Sequence, residues 1–424
     1  MTIHKISFKI YTNGKGSELG GKSSAVFVLW LYRVGKALFH AYLLDNIILK
    51  RRIMNSFAYK RKLTPDLARG YMLLFIALAH GNQFLFSTDR DITITDQITV
   101  FLRQVFIDGR AFPLFAILFG YGLHQLFKRH ERKGIPWKDT KRIFRRRGAW
   151  MLLIGFLHAT LLLADIIGAY GFIALLFAGL FVRLSNKSII VLAILILFIV
   201  GAVGTAVPRG FDTLNMEMTS TTKMADPIDA AISRMFEWMF YTPFLSFQLI
   251  PGVLIGILVA RFQFIDYPQK HREYLINAAL LGLFISTAGA IPMALMSSLF
   301  WTSYSEIWEL VAKALHTFTG FAGGVGWTAL IGLMAIKLEQ KRGTVTKAIV
   351  ALGQRSLSFY IFQSFLFVLI LAPYAGGLGG HISQLGSDVV SVFVWVVSVI
   401  IANILHKRSI RGPFETLLRK KSTL

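Results

Sequence analysis

Residues 188–207 read SIIVLAILILFIVGAVGTAV, twenty positions without one charge. At about 1.5 Å per residue such a helix is about 30 Å long, the thickness of a bilayer's hydrocarbon core. Similar runs recur on both sides of it. They predict crossings at 70–87, 111–127, 148–164, 166–183, 188–207, 244–260, 274–299, 310–336, 356–374 and 387–405. The fold class that follows is all-α, a polytopic transmembrane bundle of about ten spans with both termini in the cytoplasm.

Composition leads to the same class. Of 424 residues, 54% are apolar and 16% are charged, against about 25% charged in a soluble domain. Mean hydropathy is +0.57. So few charges cannot cover a water-facing surface. The absence of cysteine excludes disulfides, thiolate metal sites and catalytic thiols. Lysine and arginine number 46 against 22 acidic residues, a net charge of +24. These cations sit in short segments between apolar runs, as positive-inside topology and contact with anionic lipids require. Nucleic acid is not an expected partner.

Loop charges alternate along the chain. Lys128–Arg147 holds ten basic and two acidic residues and is expected inside. Pro208–Pro243 holds three basic and five acidic residues and is expected outside. Residues 337–355 and 407–421 then fall inside, whereas 88–110, 301–309 and 375–386 fall outside. Three parts result: a cytoplasmic segment at 1–62, a membrane domain at 63–406 and a basic cytoplasmic tail at 407–424. Within the first, Val26–Leu49 places Arg33, Lys36 and His40 on one helical stripe, the pattern of a helix lying on the membrane.

Ionisable groups inside a bilayer are costly and mark functional sites. His80 follows Arg69 by eleven residues, about 16 Å along a helix, which predicts a mid-membrane position. His158 is expected at similar depth, and Asp165 at a span end. Two readings of the imidazoles stand here: proton exchange near neutral pH, or hydrogen bonds to carbonyls across helix interfaces. Arg142, Arg145, Arg146 and Arg147 gather at the mouth of the third span, where guanidinium groups either grip phosphate or fix topology. Gly320 and Gly324 have the spacing of close helix packing. Residues 376–380, GGLGG, read as a turn. No GxSxG, HExxH or Walker motif occurs in a usable context, so no metal site is expected.

Several ordered segments resemble the YeiB-like membrane proteins. They are Asp66–Gly70, Asp108–Phe115 with Leu118–Gly120, Arg146-Arg147, Gly155–His158, Asp165–Ile167 with Tyr170, Gly353–Ser364 and Gly412–Glu415. Together they cover most of residues 64–420. That family is grouped with the transmembrane acyltransferases, alongside glycan O-acetyltransferases and heparan-alpha-glucosaminide N-acetyltransferase. The resemblance implies transfer of an acetyl or other short acyl group from cytoplasmic acetyl-CoA to a cell-envelope glycan or glycolipid, across the cell membrane. The Arg69–His80 spacing is similar to that of the glycan acetyltransferases. The resemblance thus implies His80 as the general base or acyl carrier beside Arg69. On physical grounds His158 or Gln363 would stabilise the oxyanion, and Asp165 or Arg110 would orient an acceptor sugar. The candidates are therefore His80 and His158 as catalytic residues, and Arg69, Arg110, Asp165, Tyr170 and Gln363 as substrate-binding residues. Arg146 and Arg147 would hold the acetyl-CoA phosphates. Envelope acceptors and anionic lipids would be the partners, and a homo-oligomer is allowed. Two rival functions stand beside it. One is a proton-coupled transporter or exporter of a small solute or lipid, in which the same histidines relay protons. The other is a non-catalytic assembly or lipid-binding protein that uses the basic inner face.

Overall fold

The computed structural model describes residues 62–86, 92–206, 221 and 224–422. The expectations for 1–61, including the interfacial helix, lie outside the described residues. Among the described residues the chain is all-helical. Its helices are α1 (Leu63–Gly81), α2 (Ile94–Phe106), α3 (Ala111–Arg132), α4 (Trp137–His158), α5 (Ile166–Leu176) and α6 (Ala178–Phe181), followed by α7 (Asn186–Ala206) and α8 (Pro227–Arg261). There follow α9 (Arg272–Ser297), α10 (Glu306–Gln340), α11 (Thr344–Gly353), α12 (Ser356–Leu371), α13 (Gln384–Lys407) and α14 (Pro413–Ser422).

Five helical segments among the described residues are long and apolar enough to cross a membrane: Ile94–Arg132, Pro227–Arg261, Arg272–Ser297, Glu306–Gln340 and Gln384–Lys407. The α11–α12 pair, bent by 89°, makes a sixth if it is one span. Their outer faces belong in lipid. On α9, Leu280, Leu281 and Phe284 are 66%, 61% and 72% exposed, a patch that water would not tolerate in a monomer.

Several boundaries differ from those read in the sequence, each for a local reason. The segment 88–110, expected as a loop, contains α2. Thr93 and Asp96 form a reciprocal capping box there, with the Asp96 amide 3.2 Å from Thr93 Oγ1. Helix α8 begins at Pro227 rather than near 244, because Asp226 caps it by accepting from the Ile228 and Asp229 amides at 2.8 and 2.9 Å. At 35 residues α8 is about 52 Å long, more than a bilayer core requires. The basic stretch at 138–147 is helical too, as the first half of α4. Charge patterning reports side, not secondary structure. The run at 166–183 is interrupted at Phe177, between α5 and α6.

Residues from distant parts of the chain meet at two ends of the bundle. At one, Gln354 donates to Asp66 at 3.2 Å and Arg355 Nε to the Ile410 carbonyl at 3.1 Å. The segments 337–355 and 407–421, expected on one side, thus share an end. At the other, Arg103 pairs with Asp388 at 3.3 Å, and the Gln384 amide donates to Asp96 at 2.9 Å. The segments 88–110 and 375–386 share that end. Helix α1 runs from the first end towards the second, where the Phe86 amide reaches the Gly379 carbonyl at 3.3 Å.

Glycine makes the closest helix contacts. A Cβ on Gly326 of α10 would stand 2.8 Å from the Leu283 amide nitrogen of α9, and one on Gly324 2.9 Å from the Leu114 nitrogen of α3. Lipid chains are as apolar as leucine, so association inside the bilayer draws on such close approach. Gly324→Val should lower unfolding stability in micelles by about 1–3 kcal/mol, the cost of overpacking. Gly332→Ala, whose Cβ would meet only the Leu275 side chain at 3.4 Å, should be nearly neutral in the same denaturation assay.

Candidate functional site

The strongest polar constellation is built where α4 ends, α5 begins and α12 passes. His158 is the last residue of α4 and Asp165 is the N-cap of α5. The turn at 159–164 folds the chain back and brings the two together. Asp165 Oδ1 accepts from the Ile167 amide at 3.1 Å, and Oδ2 from the Gly168 amide at 2.7 Å. Trp238 Nε1 on α8 donates to Oδ2 at 3.1 Å, and His158 Nδ1 lies 2.9 Å from Oδ1. Asp165 has no exposed surface.

A carboxylate surrounded by donors fixes the histidine tautomer. His158 Nδ1 carries the proton towards Asp165, and Nε2 is left as an acceptor. Ser364 Oγ of α12 lies 2.8 Å from Nε2 and donates to it in preference to the Tyr360 carbonyl at 3.3 Å. Carboxylate, imidazole and hydroxyl thus stand in line, the connectivity that activates a serine in hydrolases of unrelated fold.

His80 approaches from another side. Its ring lies 5.8 Å from that of Tyr360, edge to face, and the His158 ring lies 4.9 Å from the same tyrosine. His80 is also in electrostatic range of His158 and Asp165. It stands in the last turn of α1, and His158 likewise ends α4. Both imidazoles occupy helix C-termini that converge on α12. Tyr360 lies between them and donates to the Ala164 carbonyl at 3.0 Å.

The other sequence candidates divide into two groups. Tyr170 is buried, stacked on Phe119 at 4.3 Å and Phe115 at 5.1 Å, and its hydroxyl has no partner among the described residues. Gln363 is buried between α12 and α13, 3.5 Å from Ser398 Oγ, with its carbonyl oxygen unpartnered among the described residues. Arg110 lies apart from the histidines. Its guanidinium is fully buried and committed to the protein: Ser286 Oγ at 3.0 Å, the Ser286, Gln104 and Asp108 carbonyls at 2.9, 3.2 and 2.7 Å, and His316. No fork is left for a sugar. At the opposite end, Arg69 pairs with Asp66 at 3.4 Å and lies with Arg129 and Glu415 in electrostatic range of Arg147. Arg69 and Arg147 therefore share one basic cluster, whereas Arg146 is exposed on a neighbouring face of α4.

Three participants do not stand out in the sequence. Ser364 looks like any hydroxyl in an apolar helix. Trp238 and Arg234 lie four residues apart on one face of α8. Arg234 donates to the Thr160 and Leu161 carbonyls at 2.8 and 3.1 Å, holding the turn that presents Asp165.

Fold and site define a polytopic, all-helical membrane protein with a dry, hydrogen-bonded polar centre. Residues 259–424 match the model of a family described as "Protein of unknown function (DUF418)", which includes the YeiB-like proteins. The chain is also 24% identical over 407 residues to the "Uncharacterized protein YxaH" of Bacillus subtilis (strain 168), covering 85% of this chain and 93% of that protein. The family match spans Tyr360, Gln363 and Ser364. His80, His158 and Asp165 lie before it.

Asp165→Asn should be destabilising, because an amide turns one acceptor into a donor against groups that all donate. Each buried donor left unsatisfied costs about 1–3 kcal/mol. Thermal unfolding in micelles should put Asp165→Asn well below Asp388→Asn, whose carboxylate is partly exposed. Equal shifts would mean that the Asp165 network adds nothing special.

Proposed function

We propose that this protein is a transmembrane acyltransferase of the cell membrane. It carries an acetyl or other short acyl group from cytoplasmic acyl-CoA to a hydroxyl on a cell-envelope glycan or glycolipid, in a ten-span topology with both termini inside. The observation that carries this reading is the Asp165–His158–Ser364 line with His80 across the Tyr360 ring. The resemblance to the YeiB-like and related acyltransferases supports it independently.

In this reading the basic cluster of Arg69, Arg129 and Arg147 receives the phosphates of the donor. His80 lies eleven residues beyond Arg69, about 16 Å along α1, a span for the extended arm that bears the thioester. His158, held by Asp165, takes the Ser364 proton as the hydroxyl attacks the thioester carbonyl. The acyl group passes to Ser364 Oγ, and the thiol leaves with the proton from His158. The acceptor hydroxyl then attacks the serine ester and gives its proton to His80, and Ser364 Oγ leaves as the hydroxyl by taking that proton back, which restores both residues. The His80 ring makes no hydrogen bond among the described residues, so its lone pair is open to a substrate.

Radiolabelled acetyl-CoA separates the steps without knowledge of the acceptor. Wild-type protein should take up label, Ser364→Ala should take up none, and His80→Ala should take up label but fail to pass it on. Transfer to membrane acceptors should fall about 10²–10⁴-fold in both variants. If Ser364→Ala transfers normally, the serine carries nothing and the scheme is wrong. If no variant alters acetyl-CoA use, acyl transfer itself is excluded.

The topology is tested on a clean background, because the chain has no cysteine. Lys138→Cys should react with a membrane-impermeant maleimide only from the cytoplasmic side, and Ser303→Cys only from the outside. Labelling of both from one side would refute the ten-span arrangement.

A further inference from the structure

A cavity of about 520 Å³ opens between the first half of α4 and the α5–α6 break. Lys141 and Arg145 of α4 and Arg183, just past α6, line it, with Trp137 beside them. The remaining lining is apolar, and no acidic residue faces the cavity. None of the three cations is in an ion pair among the described residues.

All three cations are exposed, so an anion can reach them from outside. Lys141 and Arg145 stand four apart on one helix face, where like charges repel. Arg183 is fixed against the Trp137 ring, its guanidinium carbon 5.2 Å from the ring centroid, so it cannot swing away without losing that contact. Three cations lining one hollow, with no acid among the lining residues, favour an anionic ligand.

We infer that this cavity binds the phosphate headgroup of an anionic membrane phospholipid. The interruption at Phe177 parts α5 from α6 and leaves Leu176 and Leu180 at 53% and 56% exposure on the rim. An acyl chain can lie on those leucines while its headgroup meets the cations. A free phosphate ion gains nothing from them. The site is also separate from the cluster containing Arg147. Arg145 and Arg147 are two positions apart on α4, about 200° around the helix, and face different neighbours. The inference goes beyond acyl transfer and does not depend on it.

Native mass spectrometry of the full chain in detergent, titrated with phosphatidylglycerol or phosphatidylcholine, tests the site. Wild-type protein should retain phosphatidylglycerol preferentially. Lys141→Gln/Arg145→Gln/Arg183→Gln should weaken its retention at least about tenfold, since each cation near a headgroup contributes substantially to anionic-lipid binding. The control Lys337→Gln/Lys341→Gln/Arg342→Gln should leave retention unchanged. Gly179→Leu fills the cavity without altering charge, because a Cβ there meets Lys141 and Trp137 only at 3.6–3.7 Å. It should weaken retention as well, and serves if the triple variant does not fold. Equal loss in the control, or full retention in Gly179→Leu, would mean diffuse surface charge and overturn the site. Displacement of the lipid by millimolar inorganic phosphate or coenzyme A would assign the cavity to a soluble phosphate and overturn the lipid.

Discussion

One buried carboxylate organises the centre of this protein. An unpaired charge in a dry interior costs so much that it exists only where donors surround it. Asp165 meets that condition with two backbone amides of its own helix, the indole of α8 and the imidazole that ends α4. Each bond fixes something else: the start of α5, the approach of α8, and the tautomer of His158. Through that tautomer the polarity of Ser364 on α12 is fixed as well. Four helices are thus oriented by one side chain, and the line of hydrogen bonds and the packing are held by the same groups.

Arginine does related work at the end of the bundle where the hydroxyl line lies. Arg103 joins α2 to α13, Arg110 joins the α2–α3 turn to α9 and α10, and Arg234 joins α8 to the turn before Asp165. A guanidinium keeps its charge and offers five donors in a fixed plane, so it can satisfy several carbonyls at once where chain turns leave them without helical partners. These residues hold loops where a membrane protein has no water to do so. The arginines at the other end are of a different kind. Arg69, Arg129 and Arg147 crowd together there, with Asp66 paired to Arg69 and Glu415 in range of Arg147, so three cations share two acids.

The helices are legible in the sequence because little besides a membrane crossing calls for an apolar run of bilayer length. Their ends are not. Asp226-Pro227 is a readable cap, but a search for hydrophobic runs passes over the amphipathic turns that follow it. Likewise the apolar side of α2, with Ile94, Ile98 and Leu102 four apart, is diluted by polar residues until it looks like a loop. His158 and Asp165 stand out because ionisable groups in such surroundings are rare. Ser364 does not, since a serine in an apolar helix commonly bonds its own chain four residues back, as Ser391 and Ser398 do here. Only the distance to His158 distinguishes it. The place of Arg110 at a span end suggests a substrate contact, but the number of carbonyls around it cannot be counted from sequence.

The sharp corner between α11 and α12 has a bearing on how the chain is made. The first amides of α12 have no partner within their own helix, and Glu415 supplies it, accepting from Leu357 and Ser358 at 2.8 and 3.1 Å. That carboxylate lies 58 residues further along than Leu357. During synthesis α12, with Ser364 on it, must therefore enter the membrane with its leading turn uncapped and wait until α13 has been threaded and α14 has emerged. The hydroxyl reaches its final alignment with the imidazole late, once the chain has doubled back to close the corner. A ribosome paused before that point would hold a bundle whose helices are inserted but whose centre is not yet assembled.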